Sequence, residues 1–413
     1  MDNSTTTDDL SWSLVDTIKQ SPPIDVTAPY DTKSLAGKTI LITGGASGFG
    51  AAFARKWAKH GSHIIIGDVN DSAAEELITE LRSLPGSSKH HYYQHCDVTS
   101  WEDQVSLFKM AARASPTRGI DAVVAGAGIS EHGDVVSGAP GVFDNPAGLD
   151  SDSDSSPPPP PPLNILNVNL TGVMYTTHLA LFWLPRNGGV SRLDLLDSPH
   201  PSDGNNQPIP IRDRHLLLVS SIAGLAPLPG QTEYTASKHG VLGLFRALRA
   251  TSWAKGIRCN VLCPYFVDTP IVPWRGMALL AGGPKAQIED VVDAATRLMA
   301  DEGVVGRGLV IGGKQRVIRG RIVTVGDAGA EGEVLEEGNG EGGRGGIRSS
   351  PGAVWEVYAH DYEMVEVFVY RFVKILNMVR TVRGWVGTLK DLWGIYLGRR
   401  GGGKAIKAKK VVA

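Results

Sequence analysis

A hydroxyl, a phenol and an ammonium stand at Ser221, Tyr234 and Lys238 with a spacing that suits proton transfer. Tyr234 and Lys238 are four residues apart, so a helix places them on one face, one turn from each other. Ser221, thirteen residues before Tyr234, reaches the same place if it ends the preceding strand. A phenol titrates near pH 10, and Tyr234 becomes a base near neutrality only beside a cation that favours its phenolate. Lys238 is placed to be that cation. Alone, Y-x-x-x-K describes many solvated helix faces, so the elements around it must decide.

Those elements begin with a β-branched run from Lys38 to Thr43 that opens into Gly44-Gly45-Ala46-Ser47-Gly48-Phe49-Gly50. Phe53, Ala54, Trp57 and Ala58 then repeat at helical spacing. A strand, a glycine turn and a helix in this order bring backbone N–H groups close to a pyrophosphate at the helix N-terminus. Gly44, Ser47, Gly48, Phe49 and Gly50 are the candidate contacts. A second apolar strand, His63 to Gly67, ends in Asp68. A carboxylate there can bond both ribose hydroxyls of an adenosine and repels a 2'-phosphate, which points to NAD. Asp68 is also open to a plainer reading, as a turn residue or the cap of the helix starting near Ser72.

The alternation continues through a helix from Ala73 to Leu84, a strand around His91 to Cys96, turn residues Asp97 and Val98, a helix from Trp101 to Ala114 and a strand from Asp121 to Ala125. Such alternation predicts an α/β fold of Rossmann type, a doubly wound parallel sheet. The small residues Ala125 to Gly128 suit a place where backbone passes under a nicotinamide ribose, with Ala127 and Gly128 as contacts.

In this order the motifs resemble the short-chain dehydrogenase/reductase family over roughly residues 36–313. The resemblance rests on T-G-x-x-x-G-x-G at Thr43 to Gly50, Asp68, Asp97-Val98, Ala125 to Gly128, Asn169 in Asn167 to Gly172, Ser221, Tyr234 and Lys238. Gln231 to Gly240 and Ile257 to Ile271 look most similar to the 15-hydroxyprostaglandin dehydrogenase-like subgroup. The resemblance implies NAD-dependent interconversion of a secondary alcohol and a ketone on a hydrophobic molecule. It implies Tyr234 as base, Lys238 holding the nicotinamide ribose, Ser221 orienting the substrate oxygen and Asn169 keeping a water beside Lys238. It also implies Gln231 near the reacting oxygen, cofactor contacts at Pro264, Val267 and Thr269, and a homodimer through the helices 163–184 and 234–254. Without the resemblance, Ser221 reads equally as a strand-end turn hydroxyl, Asn169 as a satisfied helix amide and Gln231 as a loop residue.

The chain departs from the family at two of these places. Ala125-Gly126-Ala127-Gly128 stands where Asn-Asn-Ala-Gly is usual, and Tyr265 follows Pro264 where a glycine is usual. Tyr265 therefore either displaces its loop or lines the substrate pocket. Trp274, with Met277, Leu279 and Leu280, supplies an apolar wall where the family carries a substrate lid, or else belongs to the core.

The composition fits this reading. With 413 residues, 42% hydrophobic, 20% charged and a net charge of -2, the chain has no basic bias toward nucleic acid. Cys96, Cys259 and Cys263 read as buried thiols in a reducing compartment, no metal site is assigned, and no signal or membrane span is evident, so a cytoplasmic protein is expected. The expected organisation is a flexible lead over 1–35, the catalytic domain over 36–313, a Gly/Glu-rich linker over 314–352 and a basic amphipathic helical tail over 353–413. Loop insertions are expected at 144–162, which contains six consecutive prolines, and at 186–213, on the other side of the sheet and without evident chemistry. The tail suits peripheral contact with an anionic membrane, or packing on protein. An alternative to the enzyme is an NAD-binding scaffold whose insertions and tail carry the function.

Overall fold

The computed structural model describes residues 18–130, 160–197, 209–226, 228, 230–271, 285–318, 321–324, 352–358 and 378. Residues Ile18–Ala359 form one compact unit, and the fold below is that unit. Its elements in chain order are β1 (Thr39–Thr43), α1 (Gly48–Lys59), β2 (His63–Asp68), α2 (Asp71–Ser83), β3 (Tyr92–His95), α3 (Trp101–Ala114) and β4 (Ala122–Ala125). Next comes α4, built from Asn164–Leu166, a π-helical turn Asn167–Gly172 and Val173–Trp183. There follow α5 (Arg192–Asp197), β5 (His215–Val219), α6 (Thr232–Arg249), β6 (Arg258–Pro264), α7 (Ile288–Ala300), β7 (Gly308–Ile318), β8 (Arg321–Thr324) and β9 (Gly352–Val357).

The strands lie in the order β3-β2-β1-β4-β5-β6-β7, all parallel, with β8 and β9 antiparallel to β7. This is the expected doubly wound Rossmann-type sheet, and its order reverses between β1 and β4. A crevice forms there at the carboxyl ends of the strands, because the connections leave in opposite directions. Strands β1, β4, β5 and β6 are buried along their whole length, so their side chains alternate between two cores. Ile40, Ile42, Ile64, Ile66, Val124 and Leu217 face one core with Phe53 and Trp57 of α1. Leu41, Ile65, Val123, Leu216 and Leu218 face the other with Phe108 of α3 and Phe245 of α6.

The compact unit extends past both expected boundaries. Residues 18–35 are docked on the domain: Ile18 is fully buried, Ser21 Oγ donates to Val305 O at 3.2 Å and Tyr30 OH donates to Asp293 Oδ1 at 2.6 Å. Lead residues 1–17 lie outside the described residues. The sheet does not end at 313, since β7 continues to Ile318 and β8 returns beside it. The tail was expected to be helical from 353, yet 352–357 is a strand paired with β7. Bare edge amides of β7 favour a paired strand over an amphipathic turn. The glycines of β7 make room for it, because a Cβ at Gly308 would stand 3.0 Å from the Val357 side chain. The six prolines from 157, the lid segment around Trp274, the Gly/Glu-rich stretch and the rest of the tail fall largely outside the described residues.

Candidate active site

The crevice beside β1 is a cleft of about 320 Å³ whose floor is the glycine turn. Gly44 takes φ +70°, and a Cβ there would stand 2.5 Å from the Ala127 Cα. The turn thus lies directly against the end of β4, which explains the small residues there. A Cβ on Gly50 would stand 2.2 Å from Gly44 O, so α1 packs onto the turn only without a side chain. Ser47 is the N-cap of α1 but makes no side-chain capping bond, which leaves first-turn amides to a ligand anion. Thr43 Oγ1 donates to Val124 O and accepts from Gly126 N, both at 3.3 Å, and so joins β1 to β4 without an amide side chain in the Ala125 to Gly128 turn.

Asp68 stands at the end of β2 and lines the cleft. Its Oδ2 accepts from Ala46 N at 2.9 Å and its Oδ1 from Asn70 N at 3.0 Å. One oxygen braces the glycine turn and the other shapes its own loop; the cap of α2 is Asn70, whose side chain accepts from Ala73 N. Among the described residues that line the cleft, Lys238 is the one cationic side chain. The cradle of glycines, the open helix N-terminus and the carboxylate fit a dinucleotide.

At the other end, Tyr234 and Lys238 come from the first turns of α6, and both line the cleft. Burial raises the Tyr234 pKa, and a hydrogen bond from Ser221 acts against it. Ser221 caps the short turn after β5, its Oγ accepting from Ala223 N at 3.2 Å. Lys238 is buried, and burial pushes its ammonium down to about 8. Its Nζ donates to Val219 O at 3.2 Å and lies 5.6 Å from the Tyr234 ring centroid. The expected trio therefore meets through Tyr234, although Ser220, and not Ser221, is a cleft wall.

Asn169 lies within the π-helical turn of α4 and is fully buried. Its Oδ1 accepts from Ile129 N and its Nδ2 donates to Ile129 O, both at 2.8 Å. Nδ2 also donates to Ser237 Oγ at 3.2 Å. The wide turn pushes the amide out of helical register and onto the chain leaving β4. A Cβ on Gly128 would stand 3.4 Å from Asn169 Oδ1 and 3.6 Å from Lys238 Nζ, so that glycine separates the two side chains.

Of the remaining predicted residues, Asp97, Val98, Ala127, Gly128 and Thr269 line the cleft together with Gly44, Ser47, Gly48, Phe49 and Gly50. Pro264 ends β6, and Val267 is buried beside it. Gln231 is the N-cap of α6 without a side-chain capping bond, and it is not a cleft wall. Tyr265 stands edge-on to Phe266 at 5.0 Å and packs against the core under α1 and α7, away from the cleft walls. The residue is half-buried, and its backbone continues beside β7, with Tyr265 N donating to Ile311 O at 2.7 Å. Trp274 lies outside the described residues. Ser237 and Ile129, which hold Asn169, carry no sequence signal, since one is a serine in a helix and the other contributes its backbone.

A family model described as short chain dehydrogenase matches residues 38–190 and 215–276. The 5'-hydroxyaverantin dehydrogenase of Dothistroma septosporum is 36% identical over 294 residues, covering 68% of this chain and 86% of that protein. The chain belongs to the short-chain dehydrogenase family. An NADP-dependent dehydrogenase, clz5, of Cochliobolus lunatus is 29% identical to this dehydrogenase over 301 residues, 70% of this chain and 94% of that one. The crystal structure of a levodione reductase shares the fold, with a TM-score of 0.51 and 18% identity over 67% of this chain and 96% of the other. The dehydrogenase is accordingly an enzyme acting on CH–OH groups.

Proposed function

We propose that the protein uses NAD to interconvert a secondary alcohol and a ketone on a hydrophobic molecule of lipid-like or secondary-metabolite-like character. The observation that supports this best is the meeting of Ser221, Tyr234 and Lys238 at one end of a cleft whose other end presents Asp68 over a glycine turn. The Dothistroma relative is named for 5'-hydroxyaverantin, which favours the secondary-metabolite side of this class. The narrower likeness to the 15-hydroxyprostaglandin dehydrogenase-like subgroup rests on Gln231 to Gly240 and Ile257 to Ile271 of the sequence. Cofactor choice rests on Asp68, because the Cochliobolus relative is named for NADP.

In this reading Gly44, Ser47, Gly48, Phe49 and Gly50 hold the pyrophosphate, and Asp68 holds the adenosine ribose. Asp97, Val98, Ala127, Gly128 and Thr269 are among the remaining walls. Ser221 Oγ orients the substrate hydroxyl, and Tyr234 Oη takes its proton. Burial alone keeps the Tyr234 phenol protonated, so the base is made by positive charge brought near it. Lys238, titrating at about 8, still carries its proton near neutrality and supplies part of that charge. When bound, NAD accepts the hydride and adds the rest of the positive charge. Asn169 holds the backbone at Ile129 and thereby the wall beside Lys238.

The decisive experiment follows NADH formation with a panel of hydrophobic secondary alcohols. Tyr234→Phe is expected to lose about a hundredfold to ten-thousandfold in kcat while binding NADH as before. Equal turnover by wild type and variant would sink the assignment and leave the NAD-binding scaffold.

The reading extends to a homodimer through α4 and α6; α4 exposes Met174 and Phe182, and its Tyr175 stands edge-on to Trp101 of α3 at 5.4 Å. Light scattering tests this, with a monomer at micromolar concentration counting against it. Among the described residues no helix is long and apolar enough to cross a membrane. The expected membrane contact of the tail lies outside the described residues, and vesicle flotation of the full chain tests it.

A further inference from the structure

We infer that Gln104 is a positioning residue that ties the Val98 wall of the cleft to the π-helical turn carrying Asn169. Its relevance to turnover rests on the dehydrogenase reading above.

Gln104 occupies a position on α3 where helical spacing calls for an apolar side chain, in line with Leu107, Phe108 and Ala111. It is fully buried, and a buried amide persists only where its polar atoms are bonded. Its Nε2 donates to Val98 O at 2.6 Å and to Gly172 O at 2.9 Å, and its Oε1 accepts from Thr176 Oγ1 at 2.7 Å. Both amide hydrogens are thus spent on carbonyls from two separate elements. Val98 lines the cleft, and Gly172 closes the turn that contains Asn169.

The two elements also touch directly. A Cβ on Gly172 would stand 2.8 Å from Val98 Cγ2 and 3.1 Å from Val98 O. Steric contact fixes how close they come, and the Gln104 amide fixes their register along that contact. Gln104 itself is not a cleft wall, so any effect on catalysis passes through Val98 and Asn169.

The test compares the full chain with Gln104→Met and with Phe108→Leu. The first keeps length and apolar bulk but leaves two carbonyls without their donor; the second perturbs the same helix by volume alone. Amide hydrogen exchange without ligand is expected to quicken about tenfold in residues 97–100 and 167–172 of Gln104→Met, beyond any change in Phe108→Leu. KM for NAD is then expected to rise and kcat to fall in Gln104→Met, while Phe108→Leu alters melting temperature with little change in either constant. An exchange pattern shared by both variants, or confined to one of the two segments, overturns the inference. Local quickening of both segments in Gln104→Met, with a wild-type protein that itself binds no NADH, supports the tie and defeats the dehydrogenase reading. Normal NADH binding and turnover without local quickening does the reverse.

Discussion

The two ends of the sheet handle charge in opposite ways. At the carboxyl ends of the strands, Lys238 is buried with a backbone carbonyl for company, and Asp68 bonds to amides. At the amino ends, charges meet charges. Asp213 is bonded to Lys38 Nζ at 2.7 Å and to Arg258 through both oxygens, Oδ1 to Nε at 2.7 Å and Oδ2 to a terminal nitrogen at 2.6 Å. Arg212 forks onto Asp121 with two bonds of 2.8 Å. Of this cluster Arg212 and Asp213 belong to the 186–213 insertion, which is fastened to the sheet side through Asn187 to Asp121, Arg212 to Asp121 and Asp213 to Lys38. Buried ionisable groups mark chemistry where their charge is left to a ligand, and architecture where it is already matched.

The largest test of this contrast is Asp213→Ala. Lys38 and Arg258 would remain buried without their common partner, a change expected to cost about 3–5 kcal/mol. Urea unfolding should show the loss, while NADH affinity of the folded protein stays as it was. A large change in NADH affinity with little loss of stability would erase the distinction between the ends.

A smaller, pH-dependent effect is expected near the amino ends of β2 and β3. His91 Nδ1 accepts from Ile64 N at 3.1 Å, and its Nε2 is 2.7 Å from Ser87 Oγ. Burial, with positive neighbours His63 and Arg82, holds its pKa down to about 4. The unfolded chain therefore binds a proton between pH 6.5 and 4 that the folded protein refuses, so stability falls as pH drops through that window. At about 1.36 kcal/mol per unit the loss is about 2–3 kcal/mol. His91→Gln, which keeps an acceptor, should flatten the slope in chemical unfolding measured from pH 7 to 4. An unchanged slope would assign the acid sensitivity to other groups.

Much of the catalytic end was legible because its signals are local. The glycine turn, the acid ending the next strand and the phenol one turn before the lysine each depend on spacing within a single strand–turn–helix unit. The amino-end cluster was not legible, since Lys38, Asp213 and Arg258 are distant in sequence and Arg212-Asp213-Arg214 reads as a polar loop. The π-helical turn escaped for a related reason: one extra residue in a turn leaves no periodic trace in a six-residue stretch. β9 escaped because long-range pairing to β7, rather than its own pattern, makes it a strand. Tyr265 was placed by family position, while its ring follows the core beside β7.

The smallest expected effect bears on the cofactor end. Asp68 lines the cleft, and both its oxygens already accept backbone bonds. Asp68→Asn keeps the shape and one acceptor but removes the charge. Charge-assisted bonds to ribose hydroxyls would weaken, and NAD affinity is expected to fall about tenfold. Repulsion of a 2'-phosphate would be lifted at the same time, so NADP should gain relative to NAD. Fluorescence titration with NADH and NADPH measures both. Since Ala46 N loses a carboxylate partner, part of the NADH loss reports the glycine turn, and the NADPH arm separates the two: turn damage lowers both affinities, whereas removal of the charge lowers one and raises the other. A wild-type protein that already binds NADPH more tightly would show that the carboxylate is committed to bracing Ala46, and would move Asp68 from the ligand-facing class to the architectural one.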